Sequence, residues 1–207
     1  MRAPLLFTVL AGLTSVWLGW DLASTPRVCH PAESQVGRMA AEALADQIVR
    51  AESNGDADAK NERSSATGAG QFLDGTWLEL ISAHRPDLED ASQQEILELR
   101  RDPGLSRDMV VQLAQRNARI LTARCLPVTP GTLYLSHFAG GGGAASVLSA
   151  PDHADAAATM AKGDSRGRLT REMIVAANPF LNSFTVADLK SWADRKMKGA
   201  ALYLARR

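Results

Sequence analysis

The sequence predicts an all-α protein, and three observations carry that prediction. Aromatic residues make up only 5% of the chain, while alanine, the strongest helix former, recurs throughout. Apolar residues return at three- and four-residue spacing in several long stretches. No stretch carries a strong period-two pattern of the kind a half-buried strand shows, and no internal repeat is visible. With 207 residues, 45% of them hydrophobic and 22% charged, the chain has the length for one real core and the composition of a globular protein.

The first segment, "MRAPLLFTVLAGLTSVWLGW", places Arg2 before an uncharged apolar run from Ala3 to Trp20. It reads as a secretory signal or an N-terminal anchor within residues 1–28. Ala23 could serve as a cleavage position, but it would put Asp21 where a small residue is preferred, so an uncleaved anchor stands beside a cleaved signal. Either reading places residues 29–207 outside the cytoplasm, periplasmic or secreted, or held at the inner membrane by the N-terminus. The two cysteines, Cys29 and Cys125, form no metal-ligand pattern. In an oxidising compartment they are candidates for one disulfide, and closing so long a loop stabilises by about 4–5 kcal/mol in the chain-entropy picture. Two unrelated thiols are the alternative.

Residues 33–52 put Met39, Ala40, Ala43, Leu44, Ile48 and Ala51 on one helical stripe, and Asn54-Gly55 supplies a stop. Residues 55–70 contain glycine and no large apolar residue, so they form a loop. A second helix begins near Asp74 and carries Trp77, Leu78, Leu80 and Ile81. Ser92 with Glu95 three residues later opens a short helix over 92–100. Asp102-Pro103-Gly104 reads as a turn, followed by a helix over 106–123 with Met109, Val110, Leu113, Ala114, Ile120 and Leu121 inward. Pro127 and Pro130 bracket a break. Residues 131–149 read as a helix interrupted at Gly140 to Gly143. Thr185 with Asp188 opens the last helix, with Leu189, Trp192, Ala193, Met197, Ala200 and Tyr203 inward. The sum is about seven helices around one core.

Charge adds exclusions. Lys+Arg and Asp+Glu balance at 23 each, which gives no global argument for nucleic acid or an anionic membrane surface. The basic residues near the C-terminus read as a solvated helix face. His30, His84, His137 and His153 show no ligand spacing with cysteine or acid, so no metal and no cofactor is expected.

The junction at 52–72, "ESNGDADAKNERSSATGAGQF", carries the chemistry. Glu52 lies four residues after Ile48, on the apolar side of its helix. A carboxyl held against apolar surface loses hydration when ionised, and a carboxyl that keeps its proton is what a general acid needs. The loop then reads as the rim of a cleft. Its glycines let backbone approach a ligand, and Asn61, Ser64, Ser65 and Thr67 offer hydrogen bonds without bulk. Gln71 can bridge a donor and an acceptor, and Phe72 and Trp77 can supply an apolar wall. Taken alone, a glutamate at a helix end is most often a solvated or capping residue; the combination is what points to a site.

These residues resemble a family. "ES" at 52–53, "AKN" at 59–61, "SSATGAGQF" at 64–72 and "TW" at 76–77 are similar to the signature of the soluble-lytic, goose-lysozyme-like lytic transglycosylases. "LRRDPGLSRDMV" (99–110), "LYLSHFAGGGGAASVL" (133–148), "ANPF" (177–180) and "FTVADLKSW" (184–192) resemble a variant branch of it. The similarity covers roughly residues 29–197. The resemblance implies a lysozyme-like α-fold with a cleft and peptidoglycan glycan strands as substrate. It implies Glu52 as the acid that protonates the oxygen between N-acetylmuramic acid and N-acetylglucosamine. Glu52 would then act as the base toward the muramic 6-hydroxyl, giving a 1,6-anhydro product. It matches Ser65 and Gln71 to sugar-positioning residues. The commoner members carry Ala-Tyr-Asn-x-Gly; here the run is Ser136-His137-Phe138-Ala139-Gly140, with His137 in place of that tyrosine and Tyr134 one turn earlier. His137 as a partner of Glu52 or substrate stands beside His137 satisfied by backbone. Tyr134 as a substrate contact stands beside Tyr134 as core, and the glycine run as a close approach to glycan beside a helix break.

Two other readings remain. A hydrolytic muramidase would use the same acid with a second carboxylate, for which Asp56, Asp58 and Asp74 are near in sequence. A peptidoglycan-binding component of a secretion or flagellar assembly would have weak activity. In each, nucleic acid is no partner and the membrane is met only through the N-terminal segment.

Overall fold

The computed structural model describes residues 34–198. The segment 1–28, Cys29, Ala200 and Tyr203 lie outside these residues. Within them the protein is helical, with eight α-helices against the expected seven or so, joined by loops and short 3-10 turns.

Helix α1 (Ser34–Ser53) buries Ala41, Leu44, Ala45 and Ile48. It ends where Asn54 enters the left-handed region at φ 56° and its N–H donates to the Arg50 carbonyl at 3.0 Å, with Gly55 following at φ 84°. Asparagine and glycine are the residues that tolerate this cap. Helix α2 (Asp74–His84) buries Trp77, Leu80 and Ile81, and the Trp77 indole donates to the Ile96 carbonyl at 2.6 Å. Helix α3 (Gln93–Glu98) opens on the expected capping box: Glu95 N–H donates to Ser92 Oγ at 3.3 Å, and Ser92 N–H to Glu95 Oε2 at 2.8 Å. It runs on into a 3-10 turn, Leu99–Arg101.

Asp102-Pro103-Gly104, expected as a turn, is the start of α4 (Pro103–Ala123). Asp102 Oδ1 accepts from Leu105 N–H at 2.8 Å, and proline at the first helical position loses no hydrogen bond there. Helix α5 (Pro130–Ser149) is capped by Thr129 and breaks at Gly140, whose φ of 70° and ψ of 158° are non-helical. Helices α6 (Ala156–Ala161) and α7 (Arg171–Ala177) were not expected. Each is too short for a 3.6-residue period to show, but each has a side-chain cap, Asp155 for α6 and Thr170 for α7. Helix α8 (Val186–Lys196) opens on the expected Thr185–Asp188 box.

Helix α4 packs between α1 and α5, and α5 packs on α6 and α8. The glycine run serves this packing. A Cβ on Gly142 would lie 2.3 Å from the Gly163 carbonyl oxygen, one on Gly141 2.7 Å from Ile120, and one on Gly143 would meet Ala139 at 3.3 Å. Gly140 makes the break, and the next three let backbone and side chains of neighbouring elements close in.

Candidate active site

Glu52 occupies the last turn of α1. It is half-buried, and its Oε1 atom is buried with no hydrogen-bond partner. Buried polar atoms are nearly always paired, so such an atom asks for an explanation. Tyr134, 2% exposed on α5, turns its hydroxyl toward this carboxyl. Burial first, then the charge and hydrogen bonding of Glu52, push the phenol well above its ordinary pKa, so the ring stays neutral and can donate. The contact leaves Glu52 Oε1 unsatisfied.

The loop from Asn54 to Leu73 folds against this helix end. Ser53 Oγ donates to the Ala69 carbonyl at 2.9 Å. Gly68 N–H donates to Ala59 O at 2.8 Å, and Thr67 and Phe72 exchange both backbone hydrogen bonds at 3.2 Å. Gly68 has φ 77°, and a Cβ there would stand 2.0 Å from the Arg100 carbonyl oxygen. A Cβ on Gly70 would stand 2.7 Å from the Phe72 ring. These two glycines therefore admit the protein's own groups, where a close approach to ligand was expected.

The expected site residues separate into four groups. Glu52 and Tyr134 are brought together. His137 is not brought to Glu52: its Nε2 lies 3.1 Å from the Gly70 carbonyl oxygen. A carbonyl only accepts, so Nε2 carries a proton; Nδ1 is buried without a partner. Phe72, expected as a wall of the cleft, is 2% exposed. It packs on Trp77 at 5.3 Å and on His137 at 5.7 Å between ring centroids, supporting the loop from beneath, because a ring of that area is worth more in the core than on a rim. Trp77, expected beside it, is likewise fully buried.

Gln71 and Ser65 sit on the loop with part of their hydrogen bonding already engaged. Gln71 holds φ 49°, a conformation unusual for a residue with a side chain. Its amide nitrogen donates to Ala59 O at 3.2 Å and Gly68 O at 3.0 Å. Its donors are thus spent within the loop, and it cannot offer a ligand both donor and acceptor. Ser65 Oγ accepts from Asp74 N–H at 3.2 Å, at the start of α2, and remains exposed.

No family model and no curated protein matches this chain. Two concavities, of about 740 Å³ beside Pro130, Leu135 and Met197 and about 610 Å³ beside Glu42, His84 and Arg107, are not lined by Glu52. The candidate site is marked by its unsatisfied chemistry, not by volume. Among the described residues no group of three His, Cys, Asp or Glu side chains is placed to hold a metal ion. Cys125 is disulfide-bonded; Cys29, its expected partner, lies outside the described residues.

Two supports of the site were missed from sequence. Arg100, 7% exposed, donates through Nη1 to Ser65 O at 2.9 Å, Phe72 O at 3.2 Å and Asp74 Oδ1 at 2.5 Å. Its Nε donates to Leu97 O at 2.8 Å. Ser106, fully buried, accepts from Gly70 N–H at 3.0 Å. A signal existed for both. Arg100 stands four residues after Ile96, and Ser106 three before Met109 and four before Val110, so each lies on the inward side of its helix.

Proposed function

We propose that the protein is a peptidoglycan lytic transglycosylase with Glu52 as its general acid and base. The observation that carries the reading is the buried, unpartnered Glu52 Oε1 at a helix end beside a neutral tyrosine and a tightly tied glycine-serine loop. An acid needs this setting: little water to compete, and a free oxygen for the atom it protonates.

In this reading Glu52 protonates the oxygen between N-acetylmuramic acid and N-acetylglucosamine. The C1–O bond breaks, and the leaving sugar takes the proton. The Glu52 carboxylate then removes the proton of the muramic 6-hydroxyl as that oxygen bonds to C1. The product is a 1,6-anhydro sugar, and no water enters. One carboxyl suffices because the substrate supplies the nucleophile, unlike the two-carboxylate scheme of hydrolysis. The neighbouring carboxylates support this choice. Asp74 is paired with Arg100 and Asp58 with Arg101, while Asp56 Oδ1 accepts from Asp58 N–H at 2.9 Å. Tyr134 would hold the Glu52 carboxyl in place, and the protein would work on the envelope side of the membrane.

The test is product analysis on purified sacculi. The wild type is expected to release 1,6-anhydro muropeptides, and Glu52→Gln to lose roughly 10³-fold or more of that release, the scale of a lost general acid, while still folding and binding sacculi. Reducing ends in place of anhydro ends would assign hydrolysis. Undiminished release by Glu52→Gln would remove Glu52 from the chemistry.

A further inference from the structure

Outside the Glu52–Tyr134 pair, the described aromatic residues other than Phe72 and Trp77 gather in one place. Trp192 on α8 lies 5.3 Å from the Tyr134 ring, 4.9 Å from Phe138 and 5.4 Å from Phe180, centroid to centroid. Phe138 and Phe180 meet at 6.1 Å, and Phe180 and Phe184 at 5.2 Å. Rings packed for the core alone would be buried, as Phe72 and Trp77 are. Here Trp192, Phe138 and Phe184 are half-buried, and Phe180 is 39% exposed. The cluster is joined to the Glu52 end of α1 twice. Tyr134 touches both Glu52 and Trp192. Lys196, whose ammonium stands 5.8 Å over the Trp192 ring, reaches the Ala51 carbonyl at 3.5 Å.

We propose that Phe180, with Trp192 and Phe138 behind it, is a stacking platform for a pyranose ring of the glycan strand whose linkage meets Glu52. The inference rests on the glycan-cleavage reading above and adds a binding residue to it. A β-linked pyranose presents a flat face of C–H groups, which suits a rigid, uncharged aromatic surface. Interlocked rings have little rotamer freedom left to lose on binding, and the buried Tyr134, in contact with both Trp192 and Glu52, keeps the cluster close to the Glu52 carboxyl. Phe180 lies at 31° to the Trp192 ring and is the most exposed ring of the cluster, a single-ring surface that favours one flat ligand over insertion into a lipid surface.

The experiment uses the full chain carrying Glu52→Gln, so that the probe stays intact. The probe is a soluble β-1,4-linked N-acetylglucosamine tetrasaccharide, and binding is read by tryptophan fluorescence, to which Trp192 contributes. Phe180→Leu keeps apolar bulk but removes the ring, and is expected to weaken binding roughly ten-fold. Phe180→Tyr, which keeps the ring, should bind within about two-fold of its parent by the same reasoning. Far-UV circular dichroism confirms that both variants fold. Equal affinity of Phe180→Leu and its parent overturns the platform. So does a parent that binds phosphatidylglycerol vesicles but not the saccharide. The two readings fail separately. Undiminished sacculus cleavage by Glu52→Gln would end the catalytic assignment, while a ten-fold loss in Phe180→Leu would still support a sugar platform.

Discussion

Arg100 is the residue whose removal should most clearly loosen the candidate site without touching Glu52. Its guanidinium ties both ends of the loop at once, through the carbonyls of Ser65 and Phe72, and fastens that loop to the start of α2 through Asp74. Arg100→Met removes these donors, while the Phe72 carbonyl keeps the Thr67 N–H and the Ser65 carbonyl keeps the Thr67 hydroxyl, so neither acceptor is orphaned. Hydrogen bonds from a charged donor are worth about 1.5–3 kcal/mol each. The Asp74 side chain is 46% exposed and recovers water, so the ion pair itself is heavily discounted. The three carbonyl bonds share one side chain and do not add. We therefore expect a net loss of about 2–3 kcal/mol, a large part of the ~5–15 kcal/mol that holds a typical domain. Arg100→Lys keeps the charge but offers a single nitrogen on a flexible stem, so it should recover less than half of the loss. Urea unfolding at constant slope measures both variants. Hydrogen exchange should show the Gly68 and Thr67 amides opening before the helices do. A loss below about 1 kcal/mol for Arg100→Met, within the range of an ordinary surface change, would refute the clamp.

Two further predictions concern Tyr134 and the glycines. The Tyr134 phenol is raised in the folded protein, so the unfolded chain releases that proton first, near the ordinary value of ~10. Its contribution is complete below that pH and is lost as pH rises above it; Tyr134→Phe should flatten this alkaline fall in stability, read as melting temperature against pH from 8 to 11. An unchanged slope would mean that Tyr134 does not hold its proton against Glu52. Gly142→Ala drives a methyl to 2.3 Å from the Gly163 carbonyl and should cost about 1–3 kcal/mol or more. Gly75→Ala, in α2 with nothing within 4 Å, should stabilise by about 0.5–1 kcal/mol. Thermal unfolding of the pair checks both signs.

Long amphipathic helices were legible because their signals are local. In α1 the expected inward Leu44 and Ile48 are buried, together with Ala41 and Ala45, while the side chains of Met39, Ala40 and Ala43 lie outside the described ones; this pair, the Asn54-Gly55 stop and the boxes at Ser92 and Thr185 each depend on residues within a turn or two of one another. The short helices α6 and α7 were not legible, since six or seven residues hold too few turns to establish a period. Asp102-Pro103-Gly104 shows the same limit from the other side, because turn formers are also helix starters. At the candidate site, sequence pointed to Glu52 from its place beside Ile48. It could not say which residue of "LYLSHF" would face it, because Tyr134 and His137 are three apart and share one side of α5. Packing decides. His137 is drawn to Gly70 over the Phe72 ring, and Tyr134 is left to meet Glu52.

The pattern of spent and unspent groups narrows what this place can receive. Most of the loop's donors are used internally: Ser53 on Ala69, Gln71 on Ala59 and Gly68, Gly70 on Ser106, and Arg100 on Ser65 and Phe72. What stays buried and unpaired beside Ala69 and Gly70 is Glu52 Oε1 and His137 Nδ1. A neutral His137 with Nε2 donating to Gly70 would offer Nδ1 as an acceptor, and an ionised Glu52 accepts as well. Two such acceptors would suit a ligand, or an ordered water, that brings hydroxyl or N–H donors. An anion would meet a second negative charge at Glu52, and a purely apolar ligand would leave both atoms orphaned at a cost of about 1–3 kcal/mol each. The proposed substrate, a neutral, hydroxyl- and amide-rich chain, would satisfy both, and Glu52 Oε1 would be free to donate to the linking oxygen when protonated. The small, polar loop after Glu52 is therefore best understood as a scaffold that uses up its own hydrogen bonds so that these two atoms do not.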